Sequence, residues 1–448
     1  MNFLLYPIYR AYRIFSSLRY WLGRRFTWMG IGVLVGIMAT AVMSLDTDNN
    51  VTYQVFALLL AILFVALLFS FGFKVSFSTA RSLPRFATAG RPFTYTVTIK
   101  NLSKRRQVGI TLLEDLADPR PSFAEWRKMK LDEQRHVRPF RISRQWPTNP
   151  FRIAIVSEAE MPSVAPNQEI GVNFELTPLR RGRIRFKGMT FARSDPFGLF
   201  RIFSKCSAPQ SMLVLPKRYP LPPLPMPGAM KYQQGGVALA SNVGRSEEFA
   251  AVREYRRGDP MNHIHWRSWA KTGKPIVKEF EDEFFVRHAL ILDTFTKRPY
   301  SDEFEEAVSV AASFACNLLT QESLLDLLFV ETKAYCFTAG RGLAHADQML
   351  EILASVSPCG ERPFSTLEHL VLNHAGSVSG CICVLLSWDT ERRELVRKLR
   401  SLGLPVLVLV IVPGGKGASG DERPLQDTPG QLHFLETGKI EEGLARLT

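Results

Sequence analysis

The pattern of apolar and polar positions changes character three times along the chain. Near the amino terminus two runs, Phe26–Leu45 and Val51–Phe73, contain no charged residue. At ~1.5 Å rise per residue each is about long enough to cross a hydrocarbon core ~30 Å thick, which predicts a hairpin of two transmembrane helices. The loop between them contains Asp46 and Asp48 and no base, whereas residues 1–25 carry Arg10, Arg13, Arg19, Arg24 and Arg25 and no acid. Lys74, Arg81 and Arg85 follow the second run. Bases on both outer flanks predict a multi-pass protein of the inner (plasma) membrane with both termini cytoplasmic. Tyr20, Trp21 and Trp28 suit an interfacial aromatic belt, and Phe3, Leu4, Tyr6, Tyr9, Ile14 and Phe15 predict a leader lying on the membrane surface. The rival reading, a signal peptide cleaved near Ala39-Thr40-Ala41, is opposed by the long basic leader and by the apolar run continuing past that site.

From Phe77 to Leu215 the period shortens to two. Phe93-Thr94-Tyr95-Thr96-Val97-Thr98-Ile99 sets aromatic and apolar residues on one face and threonines on the other, as a half-buried strand requires. Val108–Leu113, Ile153–Val156, Ile170–Leu176, Ile184–Phe191, Leu199–Phe203 and Met212–Leu215 read the same way, and short strands at this density predict a β-sandwich. Residues 119–150 interrupt the pattern as a charged insertion containing Trp126 and Trp146. Residues 216–244, rich in proline and glycine, read as a linker without a core of its own.

Beyond it, apolar strands alternate with helical spacing. Ala289–Asp293 reads as a strand ending in an acid, and Asp302–Gln321 as the helix it feeds. Leu324–Val330, Cys381–Trp388 and Pro405–Val412 follow as strands, with Ala346–Val356, Ser365–Ala375 and Glu391–Leu402 as helices. A capping box of Ser365 and Glu368, an N-cap at Thr390 and a stop at Gly403 punctuate them. Strands interleaved with helices predict a mainly parallel sheet covered on both faces, whose ligands would gather at the carboxyl ends of strands, near Asp293 and Asp389. The chain thus divides into a basic leader (1–25), a transmembrane hairpin (26–73), a β-sandwich-like domain (74–215), a linker (216–244) and an α/β region (245–448).

Composition adds three constraints. A hydrophobic content of 46% argues for folded cores, and a formal net charge of +14 predicts an anionic partner. Six cysteines without paired spacing argue for a reducing compartment. Cys381 and Cys383 would face one way in a strand and could bind a soft metal, although small-hydrophobe filler is the more ordinary reading. The bases Arg127, Lys128, Lys130, Arg135, Arg138, Arg141 and Arg144 in the insertion suit contact with anionic lipid. Nucleic acid rests on charge alone, since no binding motif accompanies it. Neither a phosphate loop nor a Gly-x-Ser-x-Gly elbow nor a His-Glu-x-x-His helix is present.

Two stretches carry a family resemblance. They are Arg193-Ser194-Asp195-Pro196-Phe197-Gly198-Leu199-Phe200, and the run from Glu248-Phe249 through Arg253-Glu254-Tyr255, Gly258-Asp259, Ile264-His265-Trp266 and Val277-Lys278-Glu279. They resemble the bacterial membrane proteins grouped under domain of unknown function fifty-eight. The resemblance extends from the membrane hairpin through the β-domain to the α/β domain, and implies a von Willebrand factor A-like (Rossmann-like) fold and an association with MoxR-type AAA+ ATPases. It implies no established reaction. The A-type fold often holds a divalent ion through an Asp and two hydroxyl residues at alternate positions after its first strand. Here those positions read Asp293, Phe295 and Lys297, so a magnesium site of that type is not expected, and Lys297 is expected to neutralise Asp293. Asn262 and His263 stand where the family often has arginine.

The expectation is a non-catalytic scaffold or adaptor without a cofactor, using Arg253, Glu254, Tyr255, Asp259, Trp266 and Arg267 as a partner surface. The same residues could instead clamp the linker to the α/β domain through ion pairs. The alternative function is divalent-metal chemistry at Asp293 and Asp389 with Thr294, Thr296 and Ser387, while His263, His265 and Asp259 form a weaker metal set.

Overall fold

The computed structural model describes residues 2–43, 50–69, 75–118, 120–127, 152–222, 249–257, 259, 261, 264–280, 287–298, 300–320, 324–340, 343–414 and 432–447. The chain forms two compact units, Met1–Leu215 and Pro216–Thr448.

The first unit opens with three helices, α1 (Asn2–Arg25), α2 (Trp28–Met43) and α3 (Asn50–Phe69). Residues Val51–Phe69 are long and apolar enough to cross a membrane, with mean hydropathy 2.5. The first predicted span appears among the described residues as α2, a shorter apolar helix of 16 residues. The cause is local. Phe26 leaves the helical path to pair with Phe200, and the Thr27 hydroxyl accepts from the Gly30 N–H at 3.1 Å, so that α2 begins only at Trp28.

Behind the helices stand two sheets. One has the order β1 (Phe77–Ser82), β3 (Phe93–Asn101), β7 (Glu169–Pro178), β5 (Ala154–Val156); the other runs β2 (Phe86–Thr88), β9 (Arg201–Leu215), β8 (Gly182–Ser194), β4 (Ile110–Leu116), β6 (Ala159–Met161). Tyr95, Val97, Ile99 and Phe174 from the first meet Leu112, Ile184, Phe186 and Phe191 from the second in one core, which makes the domain β-sandwich-like. Leu199–Phe203 and Met212–Leu215 are not two strands. The polar stretch between them stays paired to β8, so β9 is continuous, while Leu199 lies in the turn.

That turn joins the sandwich to the helices. Asp195 accepts from the Phe197 N–H at 3.0 Å and the Phe200 N–H at 2.7 Å, and Gly198 adopts φ +66°, which a side chain would strain. Thr27 docks on the result, its hydroxyl donating to Gly198 O at 2.5 Å and its N–H to Leu199 O at 3.0 Å. A Cβ at Gly30 would stand 2.0 Å from Leu199 O.

The leader is also a folded element. Tyr9, assigned to the membrane surface from sequence, is instead buried beside Trp126 at 5.5 Å between ring centroids, and its hydroxyl donates to Pro121 O at 2.9 Å. Helical residues 123–127 carry this contact, opened by reciprocal bonds between Ser122 and Glu125. Of the insertion's bases, Lys128, Lys130, Arg135, Arg138, Arg141 and Arg144 lie outside the described residues, as does Trp146.

The second unit contains an antiparallel pair, β10 (Phe249–Glu254) and β11 (Ile276–Phe280), flanking α4 (Trp266–Thr272). Its main sheet has the order β14 (Ala334–Ala339), β13 (Leu324–Val330), β12 (Arg287–Leu292), β15 (Gly380–Leu385), β16 (Val406–Val412), β17 (Leu432–Glu436), parallel except for β14. The helices are α5 (Asp302–Thr320), α6 (Leu343–Ser355), α7 (Ser365–His374), α8 (Thr390–Ser401) and α9 (Ile440–Ala445). Leu367 and Val371 of α7 and Leu395 and Leu399 of α8 share a core with Ala289, Ile291 and Cys383, while α5 lies against β12, β13, β15 and β16. This is a mixed α/β domain. Cys381 and Cys383 are both buried in that core rather than presented to a ligand.

Three local readings are corrected. Phe364, without a side-chain bond, precedes α7, so Ser365 and Glu368 make no capping box. Asp389 rather than Thr390 caps α8. The start of the linker belongs to the second unit, where the buried Tyr219 donates its N–H to Ser313 Oγ at 2.8 Å.

Gly30→Ala should destabilise the first unit by about 1–3 kcal/mol, because the added methyl meets backbone that cannot yield cheaply. Gly32, with nothing within 4 Å of its Cβ position, is the control. Thermal unfolding in detergent should show a lowered midpoint for the first variant alone; equal midpoints would refute the docking.

Candidate functional site

In the main sheet the strand order reverses between β12 and β15, so chains leaving their carboxyl ends diverge and open the crevice where such sheets bind ligands. Asp293 follows β12 and Asp389 follows β15, as the sequence suggested, but the crevice is filled. Arg392, on the first turn of α8, donates through Nε to Asp293 Oδ2 at 2.6 Å and through Nη2 to Oδ1 at 3.2 Å. Its Nη1 donates to Asp389. The N–H groups of Phe295 at 2.9 Å and Leu386 at 3.0 Å complete the shell of Asp293, which is fully buried. Four donors on two oxygens use the lone-pair capacity of a carboxylate.

The neighbouring hydroxyls are also engaged. Thr294 donates to Val330 O, Thr296 accepts from the Arg298 N–H at 3.3 Å, and Ser387 donates to Asp389 at 3.1 Å. Phe295 packs its ring 5.4 Å from that of Phe364, over which the Arg392 guanidinium lies at 4.7 Å. Burial acts to lower the Arg392 pKa, but Asp293 and Asp389 outweigh it and hold the guanidinium above its ordinary value. The cation expected from Lys297 is thus supplied by Arg392, a residue that sequence reasoning passed over. Its signal was the Asp-x-x-Arg spacing at a helix start, where the cap and the arginine share one face.

The second cluster surrounds β10, β11 and α4. Arg253 grips Asp259 with two bonds, Nη1 to Oδ2 at 2.7 Å and Nη2 to Oδ1 at 2.8 Å, and the Arg256 N–H adds a third at 2.8 Å. These bonds draw the Asp259 carboxyl down to about 2, with the Arg253 side-chain bonds the largest cause. Glu254 pairs with Lys274 at 3.2 Å in the open, and the Tyr255 N–H donates to Pro275 O. Ile264 pairs with Val277 and is buried, which sets the start of α4. His265 directs Nδ1 to Ser268 Oγ at 2.6 Å, and His263 and Asn262 lie outside the described residues. Trp266 stacks on Trp269 with 5.2 Å between centroids, yet is 63% exposed, and Arg256, Arg257 and Arg267 are exposed in the same segment.

Both clusters lie within residues 251–411, which match the model of the family described as protein of unknown function DUF58. The chain carries a DUF58 domain. A relative, uncharacterized protein YeaD of Bacillus subtilis, is 27% identical over 187 residues, 41% of this chain and 45% of that protein. The chain therefore spans less than half the length of that curated relative. Among solved structures, a CARDB domain from Pyrococcus furiosus is 11% identical over 31% of this chain and 93% of that domain, with a TM-score of 0.16. Salmonella alpha-2-macroglobulin reacted with methylamine is 11% identical over 36% of this chain and 9% of that protein, with a TM-score of 0.19. Likenesses of this size carry no functional argument.

Within the DUF58 domain, the structure brings Arg253, Asp259 and the Arg256 backbone together, and Asp293 together with Asp389 through Arg392. Removing one partner of a buried ion pair strands the other, so Arg392→Met should destabilise the second unit by about 3–5 kcal/mol in urea unfolding. Asp389→Asn, at a position 47% exposed, should cost less than about 1 kcal/mol. Equal effects would refute the role given to the buried pair.

The Asp259 pKa gives a second check. A depressed carboxylate contributes stability above its unfolded value of 3.8 and loses it as pH falls through about 2. Carbon-detected titration of a fragment beginning at Pro216 should therefore find Asp259 still ionised at pH 3; a midpoint near 3.8 would show the Arg253 pairing to be absent.

Proposed function

We propose that the protein is a non-catalytic, membrane-tethered adaptor whose DUF58 domain presents the β10–β11–α4 surface to a cytoplasmic partner, a MoxR-type AAA+ ATPase or its client. Both termini are cytoplasmic in this reading. The observation that carries it is Trp266, a large aromatic left exposed on an ordered scaffold and flanked by arginines. Exposed tryptophan and arginine are the residue types that concentrate binding energy at protein interfaces. The sheet order, with one antiparallel edge strand beside five parallel ones, supports the likeness to a von Willebrand factor A domain. Among the described residues Arg253 pairs with Asp259 and Glu254 with Lys274, which supports a surface pre-formed within the segment.

Divalent-metal chemistry at Asp293 and Asp389 is disfavoured because a metal would have to displace a bidentate, buried guanidinium. Millimolar magnesium or manganese should leave the thermal midpoint unchanged, since a ligand that does not bind the native state cannot stabilise it by mass action. A saturable rise lost in Asp293→Asn would restore the metal reading.

Co-purification from mild detergent, with and without nucleotide, tests the adaptor. The wild type should recover an AAA+ ATPase, and Trp266→Ala should lower recovery about tenfold, as loss of ~1.4 kcal/mol of binding free energy requires. Recovery of no ATPase under either condition, or equal recovery by the variant, would overturn the proposal.

A further inference from the structure

Helix α1 has two faces with different surroundings. On one, Tyr9 is buried against Trp126, Tyr6 and Tyr9 each place their rings 5.3 Å from Phe123, and Arg24 donates to Asp115 at 2.7 Å. These contacts fix the helix to the β-domain. The other face, at the helical spacing of Ala11, Ile14, Leu18 and Leu22, is apolar. Ile14 is 58% exposed, Phe15 72%, Leu18 48% and Trp21 46%. No acid occurs anywhere in α1, whereas Arg10, Arg13, Arg19 and Arg25 are exposed along it.

We propose that this face of α1 lies in the interfacial layer of an anionic lipid bilayer, with Ile14, Phe15 and Leu18 among the acyl chains and the flanking Arg10 and Arg19 on phosphate headgroups, while Arg13 lies on the Tyr9 side of the helix. Three observations converge on that occupant. The apolar surface is continuous in sequence with α2, whose first residue, Trp28, is 89% exposed, and the span in α3 follows. Charge of one sign flanks the apolar strip, as an interfacial helix on anionic lipid requires. Among the described residues the β-domain meets α1 through Tyr6, Tyr9 and Arg24, and at the helix end through Arg25 on Phe203, and it leaves Ile14, Phe15 and Leu18 exposed. Tyr6 and Tyr9, which sequence alone groups with the lipid face, belong to the protein face instead.

The consequence is positional. Because the same helix holds Trp126 and Asp115, insertion of its outer face holds the β-domain down at the headgroups, independently of what the DUF58 domain binds.

Photoreactive benzoylphenylalanine, apolar and compatible with an exposed position, is placed in the full chain at Phe15, Leu18, Arg13 or, as an anchor control, Leu58 of α3. The proteins are illuminated in vesicles of phosphatidylethanolamine and phosphatidylglycerol and analysed by mass spectrometry. Lipid adducts are expected from Phe15, Leu18 and Leu58 and not from Arg13. Replacing phosphatidylglycerol by phosphatidylcholine should lower the Phe15 yield at least threefold and leave Leu58 unchanged. Cross-links from Phe15 and Leu18 to a second polypeptide, or no adducts there while Leu58 reacts, would overturn the proposal, as would a Phe15 yield indifferent to lipid charge. Loss of adducts at Leu58 itself would remove the anchor on which the proposal rests.

Discussion

A carboxylate removed from water must find hydrogen-bond donors, and this requirement sets how elements within each unit meet. Among the described residues Glu114, Asp195, Asp293 and Asp326 are the buried carboxylates. Glu114 takes the Arg81 guanidinium and the Tyr95 hydroxyl at 2.6 Å, which ties β1, β3 and β4 across the sandwich; burial, with Glu114 beside it, pushes the tyrosine pKa upward. Asp195 takes two backbone N–H groups and shapes the turn on which Thr27 docks. Asp326 takes Arg287 and Thr338 and ties the amino end of β12 to β13 and β14. Asp293 takes Arg392 and ties β12 to α8.

The last of these has the largest functional consequence. At a sheet's switch point an acid with open lone pairs invites a cation from solution. An acid whose fourth donor comes from its own chain offers nothing to solution. Internalising the cation pins β12 to α8 at the carboxyl end of the sheet, and Phe364, packed edge-on by Phe295, lies against the guanidinium. In the proposed reading recognition falls instead to β10, β11 and α4, where Trp266 is 63% exposed.

The sequence carried those elements whose own residues suffice to define them. Leu324–Val330 agrees with β13 at both ends because its apolar run is bounded by a helix end and a polar turn. The alternation of β3 was legible because threonines mark its outer face. What failed depended on partners distant in sequence. The polar middle of β9 is a strand because β8 hydrogen-bonds it, and β14 and β17 are edge strands defined by their neighbours. Arg392 lies 99 residues from Asp293, and no local period announces that pairing. Lys297, adjacent in sequence, was therefore the natural but mistaken choice of counter-charge. The leader's division into two faces likewise became visible only once Trp126 stood beside Tyr9.

The two stretches that carry the family resemblance play different parts, and the fate of their polar atoms separates them. In Arg193–Phe200 the Asp195 carboxylate is consumed by the turn's own backbone, and Thr27 reads only the carbonyls of Gly198 and Leu199. Such a motif specifies a shape. Its aspartate and glycine are needed to make the turn, while Leu199 and Phe200 pack their side chains with Phe26, Val33 and Ala66. In residues 253–267 the Asp259 carboxylate is also consumed locally, by Arg253 and the Arg256 N–H, but the segment leaves an aromatic face uncovered. Stacking Trp266 on Trp269 restrains its conformational freedom before any partner arrives, which lowers the entropy cost of using it. Each stretch leaves an aromatic side chain in solvent, Phe197 at 46% and Trp266 at 63% exposure, so exposure alone does not separate them. The stacking that restrains Trp266 is why the proposed binding role is given to the second stretch.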